Sequence, residues 1–461
     1  MLSRNLIAAA GNAGGGVVTY WVDRISIPNT TTYTVRLGYS EDRESVMLVG
    51  RATGSNLRCV EIDLDGALLR ASEKALTNWF APDSMTCIGH NGEYALNTQV
   101  GYFNNRIEGL STGTDTANIQ FVPDTLNNYV NNFSNQTLNH YQTMSQDPNN
   151  STKVVYAWSG HYSYYYPPWD VYEPQIIFGR YDTSTHTRDF SRSANLYSVV
   201  GYQEASDAMI SETPVSGTNT WAGYCLAGGI FHYFFQYQSD TTATLTPTRA
   251  NVAYGNPWGA GLFIDPSGFL CCVTANSSNV EIWRSQSGGN IYTPTIKTIL
   301  GSYSTYGVVQ NATMDSNGDL YILTSNLYVI KVTTANAIDW VCKIEDTRVF
   351  SGTTGSGRYR QILVADEGGT EVLYIVAPMG YSPTYDWLLW KLPIDLPSYA
   401  GTYGTYFKIT VITSPLPTIS TAAVTSNLYS PASQRVNTPS VTIAATVQGT
   451  KQTPTVSNVP I

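Results

Sequence analysis

The sequence has few charged side chains. Asp, Glu, Lys and Arg together make up 13% of the 461 residues, about half of the roughly 25% found in an average soluble domain. The 25 Lys and Arg residues are outnumbered by 34 Asp and Glu residues, and the basic residues form no run. We therefore predict no nucleic-acid partner, because nucleic-acid-binding surfaces concentrate Lys and Arg.

An apolar run long enough to cross a membrane is also missing. A membrane-spanning helix needs roughly 18 or more apolar residues in a row, and the most apolar stretch, residues 224–235, is interrupted by Gly228, Gly229 and His232. Near the N-terminus the apolar run covers only residues 6–10, whereas a secretory signal needs an apolar region of about 7–15 residues. We predict neither membrane insertion nor an export signal.

Motifs for catalysis or metal binding are absent from the local sequence. The six cysteines form no C-x-x-C pair, and the five histidines show no metal-binding spacing. A Gly-x-Ser-x-Gly elbow and a Walker loop are missing as well. We predict buried free thiols, structural or surface histidines, no metal, no cofactor and no enzymatic activity. If Cys271 and Cys272 lie in a strand, their side chains should point to opposite faces.

Helical periodicity is nearly absent, and strand signals take its place. Runs rich in Val, Ile, Tyr, Phe and Thr, separated by Gly, Pro, Asn and Asp clusters, recur from residue 17 to about 412. Residues 261–283 and 312–344 share one pattern, in which an Asp-x-x-Gly turn joins two apolar strands and a third strand follows. Weaker copies on both sides bring the total to about seven units of about 54 residues.

This period is typical of the four-stranded blades of a β-propeller. We predict an all-β fold, a β-propeller over residues 17–412 with about seven four-stranded blades. Six or eight blades stay open because units two to four are degenerate, and a β-sandwich or a solenoid is the alternative. The strand around Trp21 is expected to close the ring by pairing into the blade that contains Trp387 and Lys391.

One of the repeat turns imitates a calcium-binding loop. Asp315, Asn317 and Asp319 occupy the first, third and fifth positions of such a loop, but Leu320 stands where glycine is needed. A hairpin turn in which Asp and Asn bond their own backbone is the simpler interpretation. We therefore predict no ion at this turn.

Aromatic residues are most concentrated at residues 161–172, which contain six of them and two prolines and which we predict to form a rigid loop between strands. Exposed aromatics at this density are typical of a surface that contacts protein or sugar. The alternative is a loop tucked into a crevice between blades. The candidate receptor or glycan contacts are Tyr164, Tyr165, Tyr166, Trp169 and Tyr172.

The C-terminal residues 413–461 differ in composition from the repeats. They contain six prolines and only two charged residues, Arg435 and Lys451. We predict an extended arm. A strand within it has no local partner and is expected to pair with a neighbouring chain. Its alternating apolar residues are Val441, Ile443, Ala445 and Val447.

The two clear units resemble propeller repeats of bacteriophage tail and tail-fibre proteins, especially those of marine phages. The matching residues are Asp315, Gly318, Asp319, Tyr321, Ile330, Lys331, Ile338, Trp340 and Ile344. Residues 1–16 are similar to the short N-terminal segment by which such proteins attach to the virion, and Leu2, Leu6 and Ile7 are its apolar residues.

The resemblance implies a structural protein of the phage tail, located in the virion and assembled in the host cytoplasm. Its terminal arms would contact other virion proteins and copies of the chain itself. A receptor- or glycan-binding tail-fibre protein for host adsorption is the alternative. A glycan-active propeller enzyme is a third reading, and it would need two carboxylates roughly 5–10 Å apart in one pocket.

Overall fold

The structure is a computed structural model, and the part of the chain that it describes is built almost entirely of β-strands. It describes residues 7–8, 18–26, 35–51, 56–75, 80–90, 92–100, 104–111, 119–123, 133–134, 143–166, 169–185, 187–195, 205–227, 231–238, 245–251, 258–276, 279–286, 291–301, 303–349, 359–379, 386–403, 405–424, 426–428, 433–437, 447–448, 450–451 and 455–458. Two short 3-10 helices, η1 (Tyr303–Tyr306) and η2 (Leu396–Tyr399), interrupt the strands. None of the described helices is long and apolar enough to cross a membrane.

The strands form seven antiparallel blades, each numbered here from its innermost strand outward. Blade 1 contains β3 (Val35–Ser40), β4 (Ser45–Arg51), β5 (Asn56–Asp63) and β6 (Leu68–Ala75). Blade 2 contains β7 (Phe80–His90), β8 (Glu93–Val100), β9 (Asn104–Ser111) and β10 (Gln120–Pro123). Blade 3 contains β12 (Thr143–Gln146), β13 (Lys153–Tyr166), β14 (Trp169–Asp182) and β15 (Thr187–Asn195), with β11 (Phe133–Ser134) also paired to β13.

The remaining blades follow the same plan. Blade 4 contains β16 (Ala205–Ile210), β17 (Thr220–Ala227), β18 (Phe231–Gln238) and β19 (Leu245–Asn251). Blade 5 contains β20 (Trp258–Ile264), β21 (Leu270–Ala275), β22 (Val280–Arg284) and β23 (Ile296–Gly301). Blade 6 contains β24 (Val309–Met314), β25 (Leu320–Thr324), β26 (Tyr328–Val332) and β27 (Ile338–Asp346). Blade 7 contains β28 (Gln361–Asp366), β29 (Glu371–Met379), β30 (Asp386–Pro393) and, from the N-terminus, β2 (Thr19–Ser26), to which β1 (Ile7–Ala8) is paired.

The innermost strands of neighbouring blades contact one another around a closed ring, which ends where β28 of blade 7 meets β3 of blade 1. Polar side chains link these strands across the blade boundaries. The Asn311 side chain accepts a hydrogen bond from the Ile362 N–H at 3.1 Å and donates one to the Ala260 carbonyl at 3.2 Å. The Gln361 side chain accepts one from the Leu37 N–H at 2.7 Å. The predicted seven-bladed β-propeller is therefore confirmed.

The N-terminal strand closes the ring as predicted. In the pairing of β2 with β30, Trp21 lies opposite Lys391 and Ile25 lies opposite Trp387. The indole N–H of Trp21 and the ammonium group of Lys391 both donate to the carbonyl of Leu64 in blade 1, at 2.9 and 3.0 Å. The closing strand is therefore bonded to its own blade and tied to the next one.

The hydrophobic core consists of layers between adjacent blades. Cys271 packs in the layer between blades 5 and 6, whereas Cys272 packs in the layer between blades 4 and 5. The prediction that these side chains point to opposite faces is confirmed. All six cysteines are buried thiols and none is in a disulfide, as predicted.

The C-terminal segment adds a fifth strand to every blade. Its strands are β32 (Phe407–Val411) on β27, β33 (Thr418–Ala423) on β23, β34 (Ser426–Leu428) on β19, β35 (Ser433–Asn437) on β15, β36 (Val447–Gln448) on β10, β37 (Thr450–Lys451) on β6 and β38 (Thr455–Asn458) on β2. A further strand, β31 (Gly401–Tyr403), lies outside β32. The segment thus passes blades 6, 5, 4, 3, 2, 1 and 7 in turn, and we call residues 407–458 the belt.

The belt corrects the expectation that this segment has no partner within its own chain. Val447 lies opposite Phe121 of β10, while Val441, Ile443 and Ala445 lie outside the described residues. The physical reason is that the fourth strand of each blade presents an unpaired row of N–H and C=O groups at the rim. An extended segment with few charges can satisfy that row without a second chain.

Candidate functional site

The predicted aromatic contact segment is the end of the β13–β14 hairpin in blade 3. Its backbone pairs continuously from Lys153 opposite Asp182 to Tyr166 opposite Trp169. The interpretation of this segment as a loop between strands is therefore wrong. Aromatic side chains favour extended backbone because they pack well on a pleated surface, so the composition that indicated a contact surface is also typical of strands.

The end of this hairpin is two-stranded. Along β14, pairing with β15 covers only residues Gln175–Asp182. Along β13, pairing with β11 ends at Tyr162. Within the described part of the chain, residues 163–172 therefore pair only with each other. All five predicted contact residues lie in this range, which we call the blade 3 tip.

A second candidate is a cleft at the opposite end of the blades, where turns join the first strand of each blade to the second. The cleft has a volume of about 640 Å³ and is lined by these turns from blades 3, 4, 5 and 6. Carboxylates from three of them, Glu212, Asp265 and Asp315, line it. Lys and Arg are absent from its described lining, although the Asp265 carboxylate forms an ion pair with Arg284 at 3.9 Å.

Two of these carboxylates hold their own turns. Oδ1 of Asp315 accepts hydrogen bonds from the N–H groups of Asn317 and Asp319 at 3.0 and 2.8 Å, and Oδ2 accepts one from the Tyr321 hydroxyl at 3.1 Å. Asp265 Oδ1 accepts two N–H bonds in the same way, at 2.9 Å each. These bonds favour the interpretation of the calcium-like sequence as a hairpin turn.

Glu212 differs from these two carboxylates. Its backbone N–H donates to the Leu262 carbonyl at 3.1 Å, which places the residue between blades 4 and 5. The side chain is exposed and forms no ion pair with a described residue. The protein around it raises the pKa of Glu212 by desolvation, an effect that water at the exposed side chain moderates. Sequence reasoning missed this residue because the turn carries no recognisable motif.

A third group of titratable side chains is buried between blades 4 and 5. The Tyr224 hydroxyl and His232 Nδ1 share a hydrogen bond of 2.6 Å, and Lys297 Nζ lies 3.3 Å from Glu281 Oε1. His232 Nε2 and Glu281 Oε2 are 3.8 Å apart, and neither has a hydrogen-bond partner among the described residues.

Burial decides the protonation of this group. Desolvation, with a contribution from Lys297, lowers the pKa of His232 to about 3. Desolvation also raises the pKa of Glu281 against the opposing effect of Lys297, and His232 therefore favours its uncharged form. His232 is fully buried, which agrees with the expectation of structural or surface histidines. Of the other four histidines, none has a side chain among those described.

The predicted N-terminal attachment residues are only partly placed. Ile7 lies in β1 opposite Tyr20 of the ring-closing strand, whereas Leu2 and Leu6 lie outside the described residues. The start of β1 is therefore at the outer edge of blade 7. The belt ends at the same edge, because β38 pairs with residues 23–26 of β2.

Comparison with known proteins leaves the function of this propeller open. No protein-family model and no curated protein matches the chain. The β-propeller fold hosts many unrelated functions, so the fold does not select among them. Function must therefore be inferred from the blade 3 tip, the cleft and the belt themselves.

Proposed function

We propose that this chain is a structural protein of a bacteriophage tail, in which the belted propeller is a rigid unit bound to other virion proteins. The observation that carries the proposal is the fifth strand in every blade. The resemblance of the repeats and of residues 1–16 to phage tail proteins supports the same assignment.

The belt suits a part that must bear load. A propeller ring is closed by one blade, and here that blade receives β2 from the N-terminus and β38 from the C-terminus. Opening the ring therefore breaks ladders formed by both ends of the chain. The segments that reach other virion proteins would leave the ring at the outer edge of blade 7, where both ends meet.

The proposal predicts that the chain is a component of purified particles. Phage particles encoding it should be purified on a density gradient, and the chain quantified by mass spectrometry and located with antibodies by electron microscopy. We expect a fixed copy number and labelling at the tail. A non-structural protein of the same phage is the control that must be lost during purification. Infectious particles without the chain would contradict the proposal.

Host-surface binding through the blade 3 tip is the second candidate function. The observation that favours it is the two-stranded end of the hairpin, which carries five aromatic residues beyond the pairing of its neighbour strands. Aromatic residues that reach a ligand supply large contact areas at low entropic cost. Sugars and proteins of the bacterial surface are the ligands expected.

Shortening the hairpin tests this function. Residues 163–172 can be replaced by Asn-Gly, a two-residue turn that suits hairpins, because Tyr162 and Glu173 already lie opposite each other. On an array of bacterial-surface glycans and proteins we expect binding to fall at least tenfold, with Trp169→Ala reproducing part of the loss. Tyr406→Ala, which removes an exposed aromatic of another blade, should leave binding unchanged.

The same array tests the prediction that the protein is not an enzyme. Binding that survives replacement of the tip would contradict the receptor-binding function. Hydrolysis of any glycan would contradict the absence of activity, and loss of that hydrolysis in Glu212→Gln would assign it to the cleft.

A further inference from the structure

The outer edge of blade 5 differs from the other blade edges. Its last strand, β33, pairs with β23 over six residues, Ile296 to Gly301, and the structure describes no strand beyond it. All six residues of β33 are exposed. The other described belt strands have two to five residues, and the longer of them are covered or charged: β32 by β31, and β35 by Arg435.

Edge strands in soluble proteins are normally protected, and β33 lacks the usual protection. Charges, prolines, bulges or a covering element prevent an edge from pairing with another chain. The sequence Thr-Ile-Ser-Thr-Ala-Ala of β33 contains neither charge nor proline, and its pairing with β23 is regular. The described part of the chain has four exposed large hydrophobic residues. Ile419 lies in β33, and Leu416 lies two residues before the strand begins.

The direction of the free backbone groups follows from the ladder. The N–H of Val424 donates to the carbonyl of Thr295 at 2.8 Å. Hydrogen-bonded and non-hydrogen-bonded pairs alternate in an antiparallel ladder, so Ile419, Thr421 and Ala423 direct their N–H and C=O groups away from β23. The Thr298 and Thr421 hydroxyls are 3.3 Å apart, which agrees with a non-hydrogen-bonded pair, where side chains are closer.

We propose that β33 is the site at which two copies of this chain associate, by antiparallel pairing of one β33 with the other about a two-fold axis. The register that uses all three outward-facing residues places Thr421 opposite Thr421 of the second copy and Ile419 opposite its Ala423. Threonine pairs favourably with threonine across strands, and the large Ile419 meets a small residue. No like charges meet, although the chain as a whole carries a net charge of −9.

This association goes beyond the proposed structural role, because it names a second copy of the chain as the partner and β33 as the strand that binds it. The pairing would join two five-stranded blades into one sheet through about six new backbone hydrogen bonds. The interface is smaller than those of stable complexes, so the free chains should associate weakly, at concentrations on the order of 100 μM. Fixing many copies in one assembly would raise their effective concentration and strengthen the contact.

Charge substitutions at the two-fold axis test the proposal. Sedimentation velocity of the full chain should show a concentration-dependent dimer. Thr421→Lys and Thr421→Glu each place like charges opposite each other, and each should weaken dimerisation at least tenfold. An equimolar mixture of the two variants should recover dimers, because the introduced charges then attract. Thr402→Lys, an exposed threonine in the edge strand of blade 6, is the matched control and should dimerise like the parent.

The results of this experiment distinguish dimers formed through β33 from dimers formed through any other surface. A parent chain that stays monomeric into the millimolar range would overturn the proposal, and so would dimers that persist in both Thr421 variants. Failure of the mixture to recover dimers would exclude the two-fold register. Since Thr421 is exposed, we expect unchanged melting temperatures for both variants. A loss of dimers is then caused by the substituted edge strand and not by unfolding. None of these outcomes depends on whether the chain is found in phage particles.

Discussion

A chain that lacks residues 1–27 is expected not to form the closed propeller. The deletion removes β2, which buries Tyr20, Trp21, Val22 and Ile25 between blades 6, 7 and 1. Burial of side chains of this kind stabilises a fold by roughly 2–3 kcal/mol each, so the loss is about 10 kcal/mol. Because total stabilities are about 5–15 kcal/mol, the shortened chain should lose its cooperative melting transition, as measured by calorimetry.

A longer deletion at the other end is the matched control for this experiment. A chain that ends at Val424 lacks 37 residues, including the fifth strands of blades 1, 2, 3, 4 and 7. Backbone hydrogen bonds stabilise by about 0.5–1.5 kcal/mol each, whereas ordering a residue costs about 1–2 kcal/mol. These contributions nearly cancel in a rim strand, so the melting temperature should fall by only about 5 °C. Equal losses of stability in the two deletions would show that β2 has no special closing role.

Acid should destabilise the protein through His232 before its carboxylates titrate. The folded protein lowers the pKa of His232 to about 3, compared with about 6.5 for the unfolded chain. Between these pH values the unfolded state binds a proton that the folded state does not, so stability falls as the pH falls. At about 1.4 kcal/mol per pH unit the full loss is about 5 kcal/mol, of which about 3 kcal/mol is reached at pH 4.5. Urea unfolding at pH 7.5, 6.0 and 4.5 measures it.

His232→Asn should remove this pH dependence. The asparagine side chain can still face the Tyr224 hydroxyl, but it does not titrate. The variant will be less stable at pH 7.5, because His232 packs 4.6 Å from the Trp283 ring, yet its stability should fall less between pH 6.5 and 4.5. Over this interval Glu61 and Asp182 contribute little, because the folded protein lowers the pKa of both below their ordinary values.

Glu281→Gln should change the pH dependence of stability in the direction opposite to that of His232→Asn. The folded protein raises the pKa of Glu281, so ionisation of the unfolded chain costs stability as the pH rises above about 4.5. The uncharged amide should therefore remove this fall in stability with rising pH, although it also removes the ion pair with Lys297. An unchanged slope of stability against pH in His232→Asn would contradict the assignment of acid sensitivity to this buried group.

The propeller fold, its approximate blade number and its closure by the N-terminal strand could be predicted from the sequence. Asp265 and Asp315 begin turns whose hydrogen bonds lie within five residues, and the apolar strands around them follow directly. Such signals are local, so they can be recognised without knowing the fold. The N-terminal strand was predictable because it stands at the opposite end of the repeats from the last blade and could complete it, as the pairing of Trp21 with Lys391 confirms.

The course of the belt and the grouping of side chains around the ring could not be predicted from the sequence. The rim strand β33 is exposed on both faces, so it shows no alternation between apolar and polar residues that would reveal its partner. His232 and Glu281 come from different blades, and Glu212 meets the carboxylates of the cleft only when four turns converge. These contacts depend on the packing of blade against blade, which brings together residues that no local pattern connects.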